Sequence, residues 1–167
     1  MRTRVAIYPG SFDPPTLAHQ EIRRQALEVF DRVPVIMGKN DGKSKTAFPP
    51  ANRCRMWMAM GVEPEDYRIG NSGECVVDWA QEFGASHVVR GIRGPEDLPA
   101  ERAYRRFLMQ ASHGAVDVVY FMTPPDLADV SSSAVRQIFA LRKKAALLGW
   151  VDSRILYLMF DPEATPL

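Results

Sequence analysis

The amino-acid sequence predicts an α/β fold, in which a parallel sheet of about five strands carries helices on both faces. Short apolar runs alternate along the chain with segments of helical periodicity, and this alternation repeats several times. The chain has 167 residues, which is enough for one core of good size. Ligands of such sheets bind at the carboxyl ends of the strands. The predicted functional loops therefore follow Tyr8, Met37, Val89 and Met122.

Five apolar runs, most of them rich in β-branched residues, are the predicted strands. The first is expected to break at Pro9-Gly10, because proline cannot donate to the ladder of a central strand. The run before Pro124 is the most strongly apolar, and the third run is the weakest. The predicted strands are 5–8, 33–37, 67–69, 87–89 and 116–122.

The predicted helices follow from apolar residues that recur at steps of three and four, as Ile22, Ala26 and Phe30 do. Gly84 is expected to close the third helix, and the serines at 131–133 are candidate N-caps for the fifth. Residues 38–50 are basic and rich in breakers, which predicts a mobile loop. One domain is expected over 1–160, with a frayed tail over 161–167. The predicted helices are 19–30, 51–60, 76–83, 101–111, 135–142 and 153–160.

The charge and cysteine content exclude several classes of protein. The chain has 21 basic and 20 acidic side chains, so neither a broad nucleic-acid surface nor a polybasic membrane anchor is expected. No apolar run approaches the ~20 residues that cross a bilayer, and the start of the chain lacks the pattern of a secretory signal. Two cysteines are too few for a disulfide scaffold, and we expect free thiols in the cytoplasm.

The most informative segment runs from Tyr8 to His19, with the sequence YPGSFDPPTLAH. A strand ends there, a glycine permits close approach of the backbone to a ligand, and a hydroxyl and a histidine stand where the next helix begins. Helix N-termini present unpaired N–H groups and positive potential, which suit a phosphate. The segment therefore predicts a phosphate site at the start of the first helix.

This segment resembles the signature of the nucleotidyltransferase superfamily, a G-[ST]-F-D-P stretch followed by [TH]-x-G-H. Three further matches resemble phosphopantetheine adenylyltransferases: RGIR at 90–93, SSSAVR at 131–136, and Lys45 three residues before Phe48. The resemblance implies a Rossmann-like nucleotidyltransferase fold, a hexamer, and transfer of an adenylyl group from ATP to 4′-phosphopantetheine. It also implies Mg²⁺ that is bound through the phosphates of ATP rather than by a cluster of protein ligands.

The resemblance further implies roles for individual side chains. His19 would hold the α-phosphate in the transition state, Lys45 would reach both the acceptor and the α-phosphate, and Arg93 would hold the β-phosphate. These three are the predicted catalytic residues. The predicted acceptor-binding residues are Thr16, Lys45, Val76 and Arg90. The predicted ATP-binding residues are Gly10, Ser11, Phe12, His19, Gly91, Arg93, Asp97, Glu101, Ser131, Ser132 and Ser133.

The sequence departs from the family pattern at three places. Ala18 replaces the glycine beside the nucleotide, residues 98–100 are Leu-Pro-Ala where an aromatic, a glutamate and a tyrosine are usual, and Cys75-Val76 replaces a common apolar pair. Two alternatives therefore stay open. One is an adenylyltransferase for another acceptor, such as nicotinamide mononucleotide, and the other is a nucleotide-binding paralogue without turnover.

Overall fold

Five parallel strands and six α-helices alternate along residues 3–38 and 46–161, the part of the chain that this computed structural model describes. The α/β fold predicted from the sequence is confirmed. The strands are β1 (Ala6–Gly10), β2 (Val35–Met37), β3 (Tyr67–Ile69), β4 (His87–Ile92) and β5 (Asp117–Met122). The helices are α1 (Leu17–Val29), α2 (Pro50–Ala59), α3 (Val76–Phe83), α4 (Leu98–Ala111), α5 (Ser132–Ala140) and α6 (Ser153–Phe160).

The strand order is β3-β2-β1-β4-β5. The second and third strands lie on one side of β1 and the fourth and fifth on the other, so the order changes direction between β1 and β4. The register between β1 and β4 ends at the pair Ile7 and Val88, whereas β1 stays paired with β2 as far as Gly10. On the other side, β4 stays paired with β5 as far as Ile92. Beyond Ile7 and Val88 the two central strands therefore leave a gap at their carboxyl ends, where ligands of open α/β sheets bind.

The prediction that the first strand breaks at Pro9 is wrong. The amides of Ala6 and Tyr8 donate to Arg32 O and Pro34 O on the β2 side. The backbone N–H groups of successive strand residues point alternately to the two neighbouring strands, so the nitrogen of Pro9 points toward β4. Pairing between β1 and β4 has already ended at this position. The missing N–H of Pro9 consequently breaks no ladder hydrogen bond, and the strand continues to Gly10.

The fourth strand is also longer than predicted, because β5 remains paired with it to the end. Arg90 and Gly91 lie within β4 rather than in the loop after it, and the functional loop begins at Arg93. A Cβ added to Gly91 would lie 3.1 Å from Cγ1 of Ile22 in α1. A larger residue would therefore press on the helix that covers this strand.

The six predicted helices are all present, and their predicted bounds differ from the observed ones by up to three residues. Helices α3 and α6 have the predicted bounds, and Gly84 ends α3 with a positive φ of 62°. Helix α4 begins at Leu98, three residues earlier than predicted, because Pro99 stands in the first turn, where a missing N–H is no loss. Helix α5 begins at Ser132 rather than 135, since the Ser131 hydroxyl accepts from Ala134 N at 3.2 Å.

Apolar side chains pack against both faces of the sheet in two clusters. Ala6 and Tyr8 of β1 contribute to the cluster beneath α1, α2 and α6, while Ile7 contributes to the cluster beneath α3 and α4. This alternation confirms a sheet covered on both faces. In the described ranges, none of the helices has both the length and the apolar character needed to cross a membrane.

Candidate active site

A cavity of about 480 Å³ lies at the gap between β1 and β4. Its walls come from the end of β1, the first turn of α1, the end of β4, the start of α4 and the first turn of α5. The cavity thus brings together segments that are far apart in the sequence. The predicted site residues that line it are Gly10, Ser11, Phe12, His19, Arg90, Gly91, Arg93, Asp97, Glu101, Ser131 and Ser132.

The N-termini of two helices face this cavity. Ala18 in the first turn of α1 and Ser132 in the first turn of α5 both line it. Within the described residues, the N–H groups of Ala18, Ser132 and Ser133 donate to no backbone carbonyl. Free N–H groups at the positive end of a helix dipole attract anions. Two such ends at one cavity favour a ligand with more than one phosphate.

His19 is held in a single orientation by Thr16. The backbone N–H of Thr16 donates to Nδ1 of His19 at 3.1 Å, and Thr16 Oγ1 lies 2.9 Å from the same nitrogen. In return, His19 N donates to Thr16 Oγ1 at 3.4 Å. Because Nδ1 is an acceptor, the proton of the neutral ring belongs on Nε2. His19 can therefore donate a hydrogen bond from Nε2 to a ligand.

The electrostatic environment keeps His19 neutral. Burial, followed by the positive charge of Arg93, lowers the pKa of His19 to about 4. The ring also packs edge-on to Phe12, with 5.1 Å between the ring centres. A neutral donor at this position forms its hydrogen bond with the same strength throughout the neutral pH range.

Thr16, predicted to bind the acceptor phosphate, is fully buried in the structure and does not line the cavity. Its hydroxyl caps α1 and contacts His19, as described above. A bond from Thr16 to a ligand would require that this cap open. The contacts of Thr16 are thus those of a residue that orients His19.

Arg90 projects from β4 toward the start of α4 and pairs with Glu101. Its Nε lies 3.0 Å from Oε2 and its Nη2 lies 2.5 Å from Oε1 of that carboxylate. The guanidinium also stacks on Tyr104, at 4.7 Å from the ring centre. Glu101 is buried, so it is compensated by Arg90 rather than by water.

Arg93, the first residue of the loop after β4, pairs with Asp97. Its Nη2 lies 3.2 Å from Oδ1, and its backbone N–H donates to Oδ2 at 3.0 Å. These hydrogen bonds hold the pKa of the Asp97 carboxyl below its usual range. The Arg93 side chain is 48% exposed, so it can swing toward a ligand more readily than Arg90.

The packing of Phe12 gives a second reason for a glycine at position 10, beside the predicted approach of a ligand. A Cβ at this position would lie 2.7 Å from Cζ of Phe12, so the ring of Phe12 occupies the space that a side chain would need. Phe12 itself has a positive φ of 45° and is buried against Tyr8 and Trp57, with ring centres 5.0 and 5.1 Å away. The glycine thus makes room for the packing of Phe12, and its predicted close approach to a ligand stays a prediction.

Besides Thr16, three further predicted site residues do not line the cavity or lie outside the described part of the chain. Val76 is buried in the apolar cluster beneath α3. Ser133 is exposed, and its hydroxyl accepts from Arg136 Nη2 at 3.1 Å. Lys45 lies outside the described residues. The predicted acceptor contacts at Lys45 and Val76 therefore stay predictions.

Several residues that lie at or behind the site were not among the predicted site residues. Thr123, directly after β5, lines the cavity and is buried; a hydroxyl just after a strand was the available signal. Asp13 and Arg53 lie behind the cavity wall, and both are buried. The signal for Asp13 was a carboxylate between apolar residues of a proline-rich loop, whereas nothing in the local sequence distinguished Arg53.

Several known proteins are similar to this chain in sequence. Residues 7–138 match the family described as Cytidylyltransferase-like. The chain is 36% identical over 139 residues to the phosphopantetheine adenylyltransferase of Chloroflexus aurantiacus, covering 83% of this chain and 84% of that protein. It is 35% identical to the protein of the same name from Rubrobacter xylanophilus, covering 82% of each.

Two solved structures share the fold. One is a bifunctional NMN adenylyltransferase/ADP ribose pyrophosphatase from Francisella tularensis, with a TM-score of 0.55 and 14% identity over 83% of this chain and 42% of that one. The other is a lipopolysaccharide core biosynthesis protein from Thermoplasma volcanium, with a TM-score of 0.51 and 16% identity over 74% of this chain and 98% of that one. At such identities the likeness concerns the fold alone.

Proposed function

Because the chain belongs to the cytidylyltransferase-like family and resembles phosphopantetheine adenylyltransferases over more than four-fifths of its length, we propose that it adenylates 4′-phosphopantetheine. The chain is a nucleotidyltransferase of coenzyme A biosynthesis. In the proposed reaction, ATP supplies the adenylyl group, and the products are dephospho-coenzyme A and pyrophosphate. The observation that carries the proposal is the convergence of two helix N-termini, neutral His19 and Arg93 on one cavity.

The chemistry requires that two anions be brought together. A phosphate oxygen of the acceptor attacks the α-phosphorus of ATP, a new P–O bond forms, and the bond to the β-phosphate oxygen breaks. Such transfers depend on positioning and on stabilisation of charge more than on covalent catalysis. A site of this kind needs donors that are fixed before the substrates arrive. The helix ends and His19 meet that requirement.

His19 is the proposed donor to the α-phosphate. Its Nε2–H can bond to a non-bridging oxygen, and this bond strengthens as negative charge builds on that oxygen in the transition state. Because His19 is neutral, it does not give up its proton. The proposed ligands of the β- and γ-phosphates are Arg93 and the start of α5, where Ser131 and Ser132 stand.

The proposed acceptor side is Arg90, which would bind the acceptor phosphate. Lys45 is also proposed to contact the acceptor, and this role is based on the sequence match alone. Arg90 is already paired with Glu101, so binding of a phosphate must share or replace that ion pair. A guanidinium can donate two parallel hydrogen bonds to one phosphate, and stacking on Tyr104 fixes the plane of the Arg90 guanidinium.

Mg²⁺ is part of the proposal as an ion that arrives with ATP. Among the described residues, no group of three or more histidine, cysteine or acidic side chains is arranged to hold a metal. Ligation by phosphate oxygens and water fits this arrangement, since Mg²⁺ in nucleotide sites keeps several waters. When bound, the ion would neutralise charge on the phosphates. A cytoplasmic location and a hexameric assembly are further expectations from the resemblance.

A pyrophosphate-release assay with a panel of acceptors tests the proposal. We expect turnover with ATP and 4′-phosphopantetheine and none with nicotinamide mononucleotide. Turnover with nicotinamide mononucleotide alone would replace the proposed acceptor. Binding of ATP without turnover on either acceptor would favour the paralogue without turnover.

A further inference from the structure

A buried polar cluster lies directly behind the loop that joins β1 to α1. Arg53 of α2 is 2% exposed, and its Nη1 donates to the carbonyl oxygen of Ser11. Asp13 is 5% exposed, and its carboxylate accepts the N–H groups of Ala47 and Phe48, both at 2.8 Å. Neither Arg53 nor Asp13 lines the cavity, so neither belongs to the site described above.

A buried arginine at this position is unexpected from packing alone. The neighbours of Arg53 on α2 include the fully buried Met56 and Trp57, so an apolar side chain would suit the core. Burial lowers the pKa of the Arg53 guanidinium, and the Asp13 carboxylate opposes this effect only in part. A charge kept in the core under these conditions indicates that the guanidinium serves a purpose that an apolar side chain cannot serve.

That purpose concerns the peptide between Ser11 and Phe12. A trans peptide is planar, and its C=O and N–H point in opposite directions. Since the Ser11 carbonyl is turned toward Arg53, the Phe12 N–H is turned away from α2. Within the described part of the chain, the N–H groups of Ser11 and Phe12 donate to no backbone carbonyl, and both residues line the cavity.

The conformation of Phe12 needs such support. Its φ of 45° lies in the left-handed region, which is unfavourable for a residue with a large side chain. Packing of its ring against Tyr8 and Trp57 fixes the side chain, and the bond from Arg53 to Ser11 fixes the preceding peptide. Together they keep the backbone of this loop in one arrangement.

We propose that Arg53 is a positioning residue, which turns the Ser11–Phe12 peptide so that the Phe12 N–H donates to a phosphate of the bound nucleotide. This role rests on the proposed use of ATP but does not depend on the identity of the acceptor. Asp13 compensates the charge of Arg53 and ties the same loop to the residues that precede α2.

The test compares two ligands that differ only in their phosphates. Binding of adenosine and of a non-hydrolysable ATP analogue is measured by titration calorimetry on the full chain, without acceptor. Arg53→Met should weaken binding of the analogue by about tenfold or more, as expected for a lost hydrogen bond to a charged group, while adenosine binding changes less than about twofold. Arg106→Met makes the same exchange at an exposed position and should change neither affinity.

A second pair of variants keeps the test readable if Arg53→Met does not fold because Asp13, which also lies 3.9 Å from Arg136 Nη1, loses a compensating charge. The double variant Asp13→Asn, Arg53→Met removes the bond from Arg53 to Ser11 together with both buried charges. Its references are the natural chain and Asp13→Asn, in which Arg53 keeps its bond to Ser11 but loses the Asp13 charge. We expect the double variant to bind the analogue about tenfold more weakly than Asp13→Asn. Equal losses for adenosine and the analogue, or no loss for either, would overturn the proposal. Because no acceptor is present, failure of the acceptor assignment would leave this result unaffected.

Discussion

The two walls of the cavity differ in how their polar groups are balanced. On the α1 side, His19 is neutral, oriented by Thr16 and accompanied by free N–H groups. On the α4 side, Arg90 and Arg93 are charged, and each is already paired with a carboxylate. The α1 side is thus ready to receive a phosphate, whereas the α4 side must exchange partners first. This difference predicts that the two walls contribute to different steps.

Removal of His19 should have the largest effect. His19→Ala deletes a fixed donor that acts most strongly in the transition state, and loss of such a donor lowers kcat by about a hundredfold or more. Binding of an ATP analogue should change far less, because the helix ends remain. Steady-state kinetics together with calorimetry separate these effects. Near-normal turnover in His19→Ala would remove His19 from the catalytic role.

Removal of Arg90 should mainly affect the acceptor. We expect Arg90→Ala to raise the KM for 4′-phosphopantetheine by about tenfold, with a smaller change in the KM for ATP. The melting temperature should also fall, since Glu101 would be left buried without its partner. The variant Glu101→Gln serves as the control for that loss of stability. An equal rise in both KM values would contradict the assignment of Arg90 to the acceptor side.

The contribution of His19 to the free energy of unfolding of the chain should decrease as the pH falls. The pKa of His19 is lowered from 6.5 to about 4 in the folded chain, so the unfolded chain takes up the proton first as the pH falls. The contribution of His19 to the free energy of unfolding is therefore complete above pH 6.5 and declines toward pH 4. Urea denaturation should show that the free energy of unfolding falls more between pH 7.5 and pH 5 for the natural chain than for His19→Gln. Equal losses would show that His19 titrates normally.

The smallest effect is expected at Ala18. Its methyl group stands at the cavity wall beside its own free N–H. Ala18→Gly should tighten binding of an ATP analogue by a few-fold, because the backbone can approach the phosphates more closely. It should also lower the free energy of unfolding by up to ~1 kcal/mol, the usual effect of glycine in a helix. Weaker binding of the analogue in Ala18→Gly would argue against obstruction by the methyl group.

Much of the fold could be predicted because local signals mark the boundaries. Gly84 ends α3 as predicted, and β3 has the predicted bounds even though its apolar run is the weakest. The strand predictions failed where a neighbouring strand decides the outcome. Pro9 is tolerated because pairing with β4 has already ended, and β4 continues past Val89 because β5 accompanies it. Neither fact is encoded in the residues of the strand itself.

The candidate site was predicted better as a set of residues than as a set of contacts. The two ends of the motif from Gly10 to His19 and three of the four residues of the RGIR segment do line one cavity. The pairing of Arg90 with Glu101 depends on how α4 packs beside β4, which no local pattern specifies. The buried position of Val76 likewise depends on which face of α3 meets the sheet.

Transfer of a labelled α-phosphate tests the proposed reaction most directly. The chain is incubated with 4′-phosphopantetheine and ATP that carries the label at the α-phosphorus, and the products are separated. The proposed reaction places the label in dephospho-coenzyme A and releases one unlabelled pyrophosphate for each labelled product. Label that remains in ATP, or that appears in AMP without entering the acceptor, would contradict adenylyl transfer to 4′-phosphopantetheine.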